Sequence, residues 1–174
     1  MSNISSVKTY PIFNQLMSYT IVEPPHIQDL IAKAVDKANQ KDQVLRYTKA
    51  LCEALELDFI EYSIKRHKFS ISNEVNMDYH QQKIDELQNG IGCYEFVIES
   101  GRKYHKIIMV TEDGNRSAHA FVDKVTGEVY KSASFKSPAK GVRFNLMVDT
   151  SREMCYDVCD WSGGYLYRND SYTG

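Results

Sequence analysis

Read for the spacing of its apolar positions, the chain changes period twice. In residues 26–57, Ile27, Leu30, Ile31, Ala34, Val35 and Ala38 recur at helical intervals, and after a polar interruption at 39–43 the pattern resumes with Val44, Leu45, Thr48, Leu51, Cys52 and Leu55. Pro24 and Pro25 stand just ahead of this stretch, where a helix tolerates proline. The pattern predicts one long amphipathic helix or a helical hairpin, with its apolar stripe serving as core packing. Residues 58–72, DFIEYSIKRHKFSIS, alternate imperfectly and are rich in Ile, Phe and Tyr, which predicts one or two strands. A short helix closed by Gly90 is expected next.

From Gly92 the period is two. GCYEFVIES, RKYHKIIMVTE, NRSAHAFVDK and EVYKSAS are separated by Ser-Gly, Asp-Gly and Thr-Gly pairs, which predicts four antiparallel strands in a meander. Thr150 and Glu153 have capping-box spacing ahead of a further helix that would put Met154 and Val158 on one side. The fold class is therefore α+β: an N-terminal helical segment, then a four-stranded meander followed by a helix. By this reading residues 1–24 are an N-terminal extension and 25–174 a single domain, helical over 25–57, with sheet and helix over 58–174.

Tight turns fix which side chains share a face. A two-residue loop at Asp113 and Gly114 sets Ile108 against His119 and Lys106 against Phe121; one at Ser100 and Gly101 sets Val97 against Tyr104; a loop over 124–127 sets Phe121 against Tyr130 and Val122 against Val129. One face then collects Tyr94, Phe96, Ile98, Ile107, Met109, Ala118, Ala120, Val122 and Val129 as core. The other collects Val97, Tyr104, Lys106, Ile108, Val110, His119, Phe121 and Tyr130, where aromatic and cationic groups mix.

Composition and charge sharpen that second face. The chain has 174 residues, 43% hydrophobic and 25% charged, with a formal net charge of -2, enough to bury a core without staples. Nothing approaches the ~20 apolar residues of a membrane helix, and the N-terminal residues lack the pattern of a secretory signal, so no membrane partner and a cytoplasmic location are expected. Yet residues 101–145 hold nine basic side chains against four acidic ones. Within them, Lys131, Lys136, Lys140 and Arg143 punctuate a segment carrying Tyr130, Phe135 and Phe144. Cations track a phosphate backbone and exposed aromatic rings stack on unpaired bases. The candidate nucleic-acid-binding residues are Tyr104, Lys106, His119, Phe121, Tyr130, Lys131, Lys136, Lys140 and Arg143, with single-stranded RNA or DNA as partner. The structural alternative is that the aromatics are core and the basic loop is merely solvated.

Other chemistry finds less support. Cys52, Cys93, Cys155 and Cys159 contain no CxxC pair; Cys155 and Cys159 lie one helical turn apart but without a second pair at finger spacing, so they read as small core residues and no metal or other cofactor is expected. There is no Gly-rich phosphate loop, HExxH or nucleophile elbow, and the turn register puts His105 and His119 on opposite faces, against a two-histidine catalyst. An enzyme is not expected.

The segment AFVDKVTGEVYKSASFKSPAKGVRFNL, together with DWSGGYLYR, resembles small, largely uncharacterised proteins of tailed bacteriophages. The resemblance covers residues 120–168 and implies the cytoplasm of an infected bacterium. The strand order with its following helix also looks like one unit of the whirly, Pur and PC4-like single-stranded nucleic-acid-binding folds, which combine two such units; 58–90 as a degenerate second unit, or a homodimer, would supply the other. Together these imply a phage-encoded single-stranded nucleic-acid-binding protein, RNA before DNA. The alternative is a protein-interaction module that acts on a host or phage protein or serves as a virion or assembly component.

Overall fold

A computed structural model describes residues 25–167. The chain divides into two units, Met1–Asp36 and Lys37–Gly174. In the first, the extension expected over 1–24 lies outside the described residues, and what is described, 25–36, is helical. The division falls inside the first helix.

That helix, α1, is continuous over Pro25–Ser72. There is no hairpin at the polar interruption and no strand in 58–72. The strand expectation fails because it weighed Ile, Phe and Tyr by their local preference. Among those residues the buried or half-buried positions include Phe59, Ser63 and His67, spaced by four, and tertiary contact overrides such preferences. Phe59 explains the outcome: its ring stacks on Tyr94 at 4.0 Å and meets Trp161 edge-on at 5.5 Å. Upstream, Val44, Thr48, Leu51, Cys52 and Leu55 form a buried stripe. The first half of the predicted stripe is not core: Leu30 is 61% exposed, and Ile27, Ile31 and Val35 are exposed as well.

Helix α2 covers Met77–Gln88 and buries Ile84 and Leu87. As expected, the chain leaves it through Gly90 with φ +76°, a left-handed conformation that glycine adopts without a Cβ penalty. Five antiparallel strands follow: β1 (Glu95–Ser100), β2 (Tyr104–Val110), β3 (Arg116–Asp123), β4 (Glu128–Lys131) and β5 (Phe144–Asn145), in the order β1-β2-β3-β4-β5. The fifth strand is two residues long and carries no periodic signal, which is why four were expected. Helix α3 (Asp149–Val158) and a 3₁₀ turn at Gly164–Leu166 complete the described chain.

No capping box forms at α3. Its N-cap is Val148, without a side-chain bond, and the Ser151 hydroxyl accepts the Asn145 N–H at 2.8 Å. Met154 and Val158 are exposed, and the inward residue is Cys155.

The register corrects two turns. Ser100 pairs with His105 and Val97 with Ile108, and Gly101 N–H donates to Tyr104 O at 2.8 Å, so the β1–β2 turn is centred on Arg102 and Lys103, two residues further along than expected. The slip is by an even number, so the faces survive it. In the β2–β3 hairpin, Thr111 N–H donates to Asn115 O, which makes the loop three residues, 112–114, and sets Val110 against Arg116 and Ile108 against Ala118. A bulge then restores Ile107 to Ala120 and Lys106 to Phe121. The residue left over is His119. The predicted pairs of β3 with β4, Phe121 with Tyr130 and Val122 with Val129, are present.

The core lies between one sheet face and the helices: Phe96, Ile107, Ala120, Val122 and Val129 from the sheet meet Val44, Leu51 and Leu55 of α1, with Leu146, Cys155 and Leu166. Polar anchors tie the layers. Glu56 of α1 accepts the Phe96 N–H at 2.8 Å, Asp58 accepts the Trp161 N–H at 2.8 Å, and the Tyr156 hydroxyl donates to Tyr47 O at 2.8 Å. No helix among the described residues is long and apolar enough to cross a membrane.

Candidate functional site

The second sheet face, away from α1, is built by alternation on β2, β3 and β4. Lys106 and Phe121 are paired, as are Phe121 and Tyr130. The Tyr104 ring meets both neighbours edge-on, at 5.9 Å from Phe121 and 6.0 Å from Tyr130. Phe121 is buried, while Tyr104 and Tyr130 are half-buried. The Tyr130 hydroxyl donates to Glu128 at 2.7 Å, and that bond, with partial burial, pushes its pKa up to about 12.

The basic segment after β4 folds back over this face. Ser132 donates its hydroxyl to Ala118 O at 2.6 Å, and a bridge between Ser132 and Pro138 closes a short excursion whose tip carries Phe135 and Lys136. The Lys106 ammonium lies 4.1 Å from the centre of the Phe135 ring. Between excursion and sheet is a cleft of about 280 Å³ lined by Tyr104, Phe121, Lys106, Lys136, Arg102, Lys103 and Glu99 with the β1–β2 loop. Glu99 is engaged by Lys106 at 3.1 Å and Arg116 at 2.6 Å, bonds that hold its carboxyl below the usual range. Arg102 and Lys136 have no ion-pair partner among the described residues. The cleft therefore has an aromatic floor and uncommitted positive charge at its mouth.

Of the nine residues expected from the sequence, Tyr104, Lys106, Phe121 and Lys136 line this cleft and Tyr130 adjoins it. Lys140 is exposed on the same segment. Arg143 is committed to structure: its Nε donates to Leu166 O at 2.6 Å and its Nη1 to Lys140 O and Gly141 O. Lys131 sits over the Tyr167 ring at 4.4 Å, outside the cleft.

His119 is not on this face. The bulge turns its ring against Phe96 and Tyr165, and its Nε2 shares a 3.1 Å hydrogen bond with the Tyr165 hydroxyl. Burial lowers its pKa to about 4. His105, opposite Val122 on the core side, shares a 2.7 Å hydrogen bond with the Ser100 hydroxyl. The separation of the two histidines onto opposite faces therefore does not hold; what distinguishes them is a different partner for each ring.

Arg102, Lys103 and Glu99 were missed as site residues because the β1–β2 turn was placed two residues too early, at Ser100 and Gly101. Cys52 and Cys155 are core residues whose thiols burial pushes up to about 12, and burial pushes Cys159 up to about 11. Among the described residues no group of three or more His, Cys, Asp or Glu side chains is placed to hold a metal ion.

Residues 27–168 match DUF7717, a family of unknown function, and the chain belongs to that family. No curated protein and no solved structure matches the chain.

Proposed function

We propose that this member of a family of unknown function binds single-stranded nucleic acid, RNA before DNA, in the cleft between the second sheet face and the 132–138 excursion. The observation that carries the reading is the pairing of an aromatic floor, Tyr104 and Phe121, with the unpaired cations Arg102 and Lys136 at the mouth. Bases stack on aromatic rings irrespective of sequence, and each neutralised phosphate releases counterions. Exposed Lys140 extends the positive track along the segment. A phage origin agrees with this reading without carrying it.

The test is fluorescence anisotropy with a labelled single-stranded RNA across a salt series. Arg102→Ala, Lys136→Ala and Lys140→Ala together should weaken binding and flatten the slope of log affinity against log salt by about one unit per lost phosphate contact. Tyr104→Ala should instead cost roughly 1–3 kcal/mol for a stacked base and leave the slope nearly intact. Loss of neither affinity nor slope in the triple variant would show that the basic segment is only solvated. Competition by DNA of the same sequence decides between the two sugars.

A second reading, a module that docks on another protein, is favoured by the exposed apolar positions Leu30, Ile31 and Val35 on α1. Docking anchored by these side chains would hardly respond to salt.

A further inference from the structure

A second cavity of about 280 Å³ lies between the C-terminal half of α1 and α2 and shares Ser63, Arg66, His67 and Tyr79 with a neighbouring one of about 250 Å³. The two adjoin, and the ends of the combined cleft differ in chemistry. At one end, Trp161 stands edge-on to Tyr94 at 5.7 Å and 5.5 Å from the ring of Tyr62, a residue that is 48% exposed and so offers an aromatic surface to a planar group. At the other, the Nδ1 atoms of His67 and His80 are 2.8 Å apart, Arg66 is exposed beside them, and the hydroxyls of Ser63, Ser70 and Tyr79 line the wall.

The charges around this cleft are unevenly committed. Lys83 is paired with Glu86 at 2.7 Å. Arg66 has no ion-pair partner among the described residues. The shared hydrogen bond between His67 and His80 needs one nitrogen without its proton, so the pair is not doubly charged as it stands. Ser70 Oγ already donates to Arg66 O at 3.3 Å, which leaves a guanidinium, two imidazoles and the hydroxyls of Ser63 and Tyr79 around one opening as a donor set for an oxyanion. An anion alone would leave the aromatic end empty, and an apolar ring alone would leave Arg66 unused.

We propose that the α1–α2 cleft binds a nucleoside 5′-phosphate, with the base against Tyr62 and Trp161 and the phosphate held by Arg66, His67 and His80. The larger of the two volumes falls just below the roughly 300–1,000 Å³ of small-molecule sites, which suits one nucleoside phosphate, any further nucleotide of a strand lying outside the cleft. The proposal is independent of the sheet cleft, because none of these residues belongs to it.

Proton uptake is part of the proposal. The free His67 resists protonation through burial first, then through His80, Arg66 and Lys83. A bound phosphate reverses the sign of that environment, against the acidic residues Glu86 and Glu112 at the cavity wall. Affinity should therefore rise from pH 7.5 to pH 6.5, above the second ionisation of a phosphate ester near pH ~6.

Trp161 is the only tryptophan in the chain, so its fluorescence in the full protein reports on this cleft. The titrants are the four ribonucleoside 5′-monophosphates, the matching nucleosides, inorganic phosphate and a 5′-phosphorylated dinucleotide. A saturable change with a monophosphate is expected, at least about tenfold weaker for nucleoside or phosphate alone, since each forfeits one end of the site. Arg66→Gln, an exposed change that leaves the core intact, and His67→Asn with His80→Asn should each weaken binding by at least about tenfold. Lys136→Ala should leave it unchanged and so separates this site from the sheet cleft. Tighter binding of the dinucleotide identifies a strand end as the source of the phosphate, and tighter binding of the monophosphate a free nucleotide; either supports the site. Absence of a saturable change with every monophosphate, or Arg66→Gln binding like the parent, overturns it.

Discussion

Leu55→Ala should cost about 2–5 kcal/mol of folding stability, the range for a leucine removed from a core that only partly collapses. Leu55 is fully buried and belongs to the cluster that joins α1 to the inner face of the sheet, with Ile107, Val122 and Val129 on the facing strands. Those strands are paired on both sides and cannot move in to fill the space. One residue on, Glu56 accepts the Phe96 N–H, so loosening this part of α1 also strains a bond that ties β1 to the helix. Leu30→Ala is the control: the same chemistry at 61% exposure should stay within ~0.5 kcal/mol. Urea unfolding of the two variants provides the comparison. Equal midpoints would mean that α1 does not seat on the sheet at Leu55.

Acidification should weaken the fold through His119, by about 3 kcal/mol in all. Its folded pKa is about 4 against an ordinary histidine value of 6.5, chiefly through burial, with Asp160 opposing. A base that is neutral when folded and free to protonate when unfolded leaves the unfolded chain holding more protons between those two values. Stability from this residue is therefore complete above pH ~6.5, falls as the pH drops towards 4 and changes no further below it, each pKa unit being worth about 1.4 kcal/mol. Asp160 moderates the effect. Burial works against its ionisation, but hydrogen bonds from Ser162, Tyr165 N–H and Gly164 N–H outweigh it and hold its carboxyl below the usual range. His67 and His105 are also held below the usual histidine range and weaken the fold in the same direction, so the measurement is a difference. His119→Gln should have a shallower dependence of unfolding free energy on pH from 6.5 to 4 than the parent. Parallel curves would place the His119 ring in water.

Legibility followed from how each element is specified. The meander and both faces of β2 and β4 could be read because side-chain alternation and turn residues are local, and because the misread β1–β2 loop slipped the strands by an even count. His119 could not be placed: a three-residue hairpin loop and a bulge each shift the strand by one, the two cancel beyond the bulge, and the residues between them change side, so that Ala118, expected on the core face, lies opposite Ile108. Residues 58–72 misled because their intrinsic preference is for strand, while Phe59 answers to Tyr94 and Trp161, which are 35 or more positions away in sequence. The sheet cleft was half visible. Its aromatic floor follows from alternation, but Arg102 comes from a turn placed two residues too early, and the commitment of Arg143 to backbone carbonyls depends on where Leu166 comes to rest.

The unbroken strand order carries a kinetic consequence. Every strand pairs only with its neighbours in sequence, so each hairpin closes a short loop at small entropic cost. The ties that seat α1 span far more chain: Glu56 to Phe96 across 40 residues, Asp58 to Trp161 across 103 and Tyr47 to Tyr156 across 109. The meander is therefore expected to assemble before the helix docks. Mutations at the β2–β3 pairing, such as Ile107→Val, should slow refolding, whereas Leu51→Ala on α1 should act mainly by speeding unfolding. A chevron with the opposite pattern would make the long helix the nucleus and the sheet the late arrival.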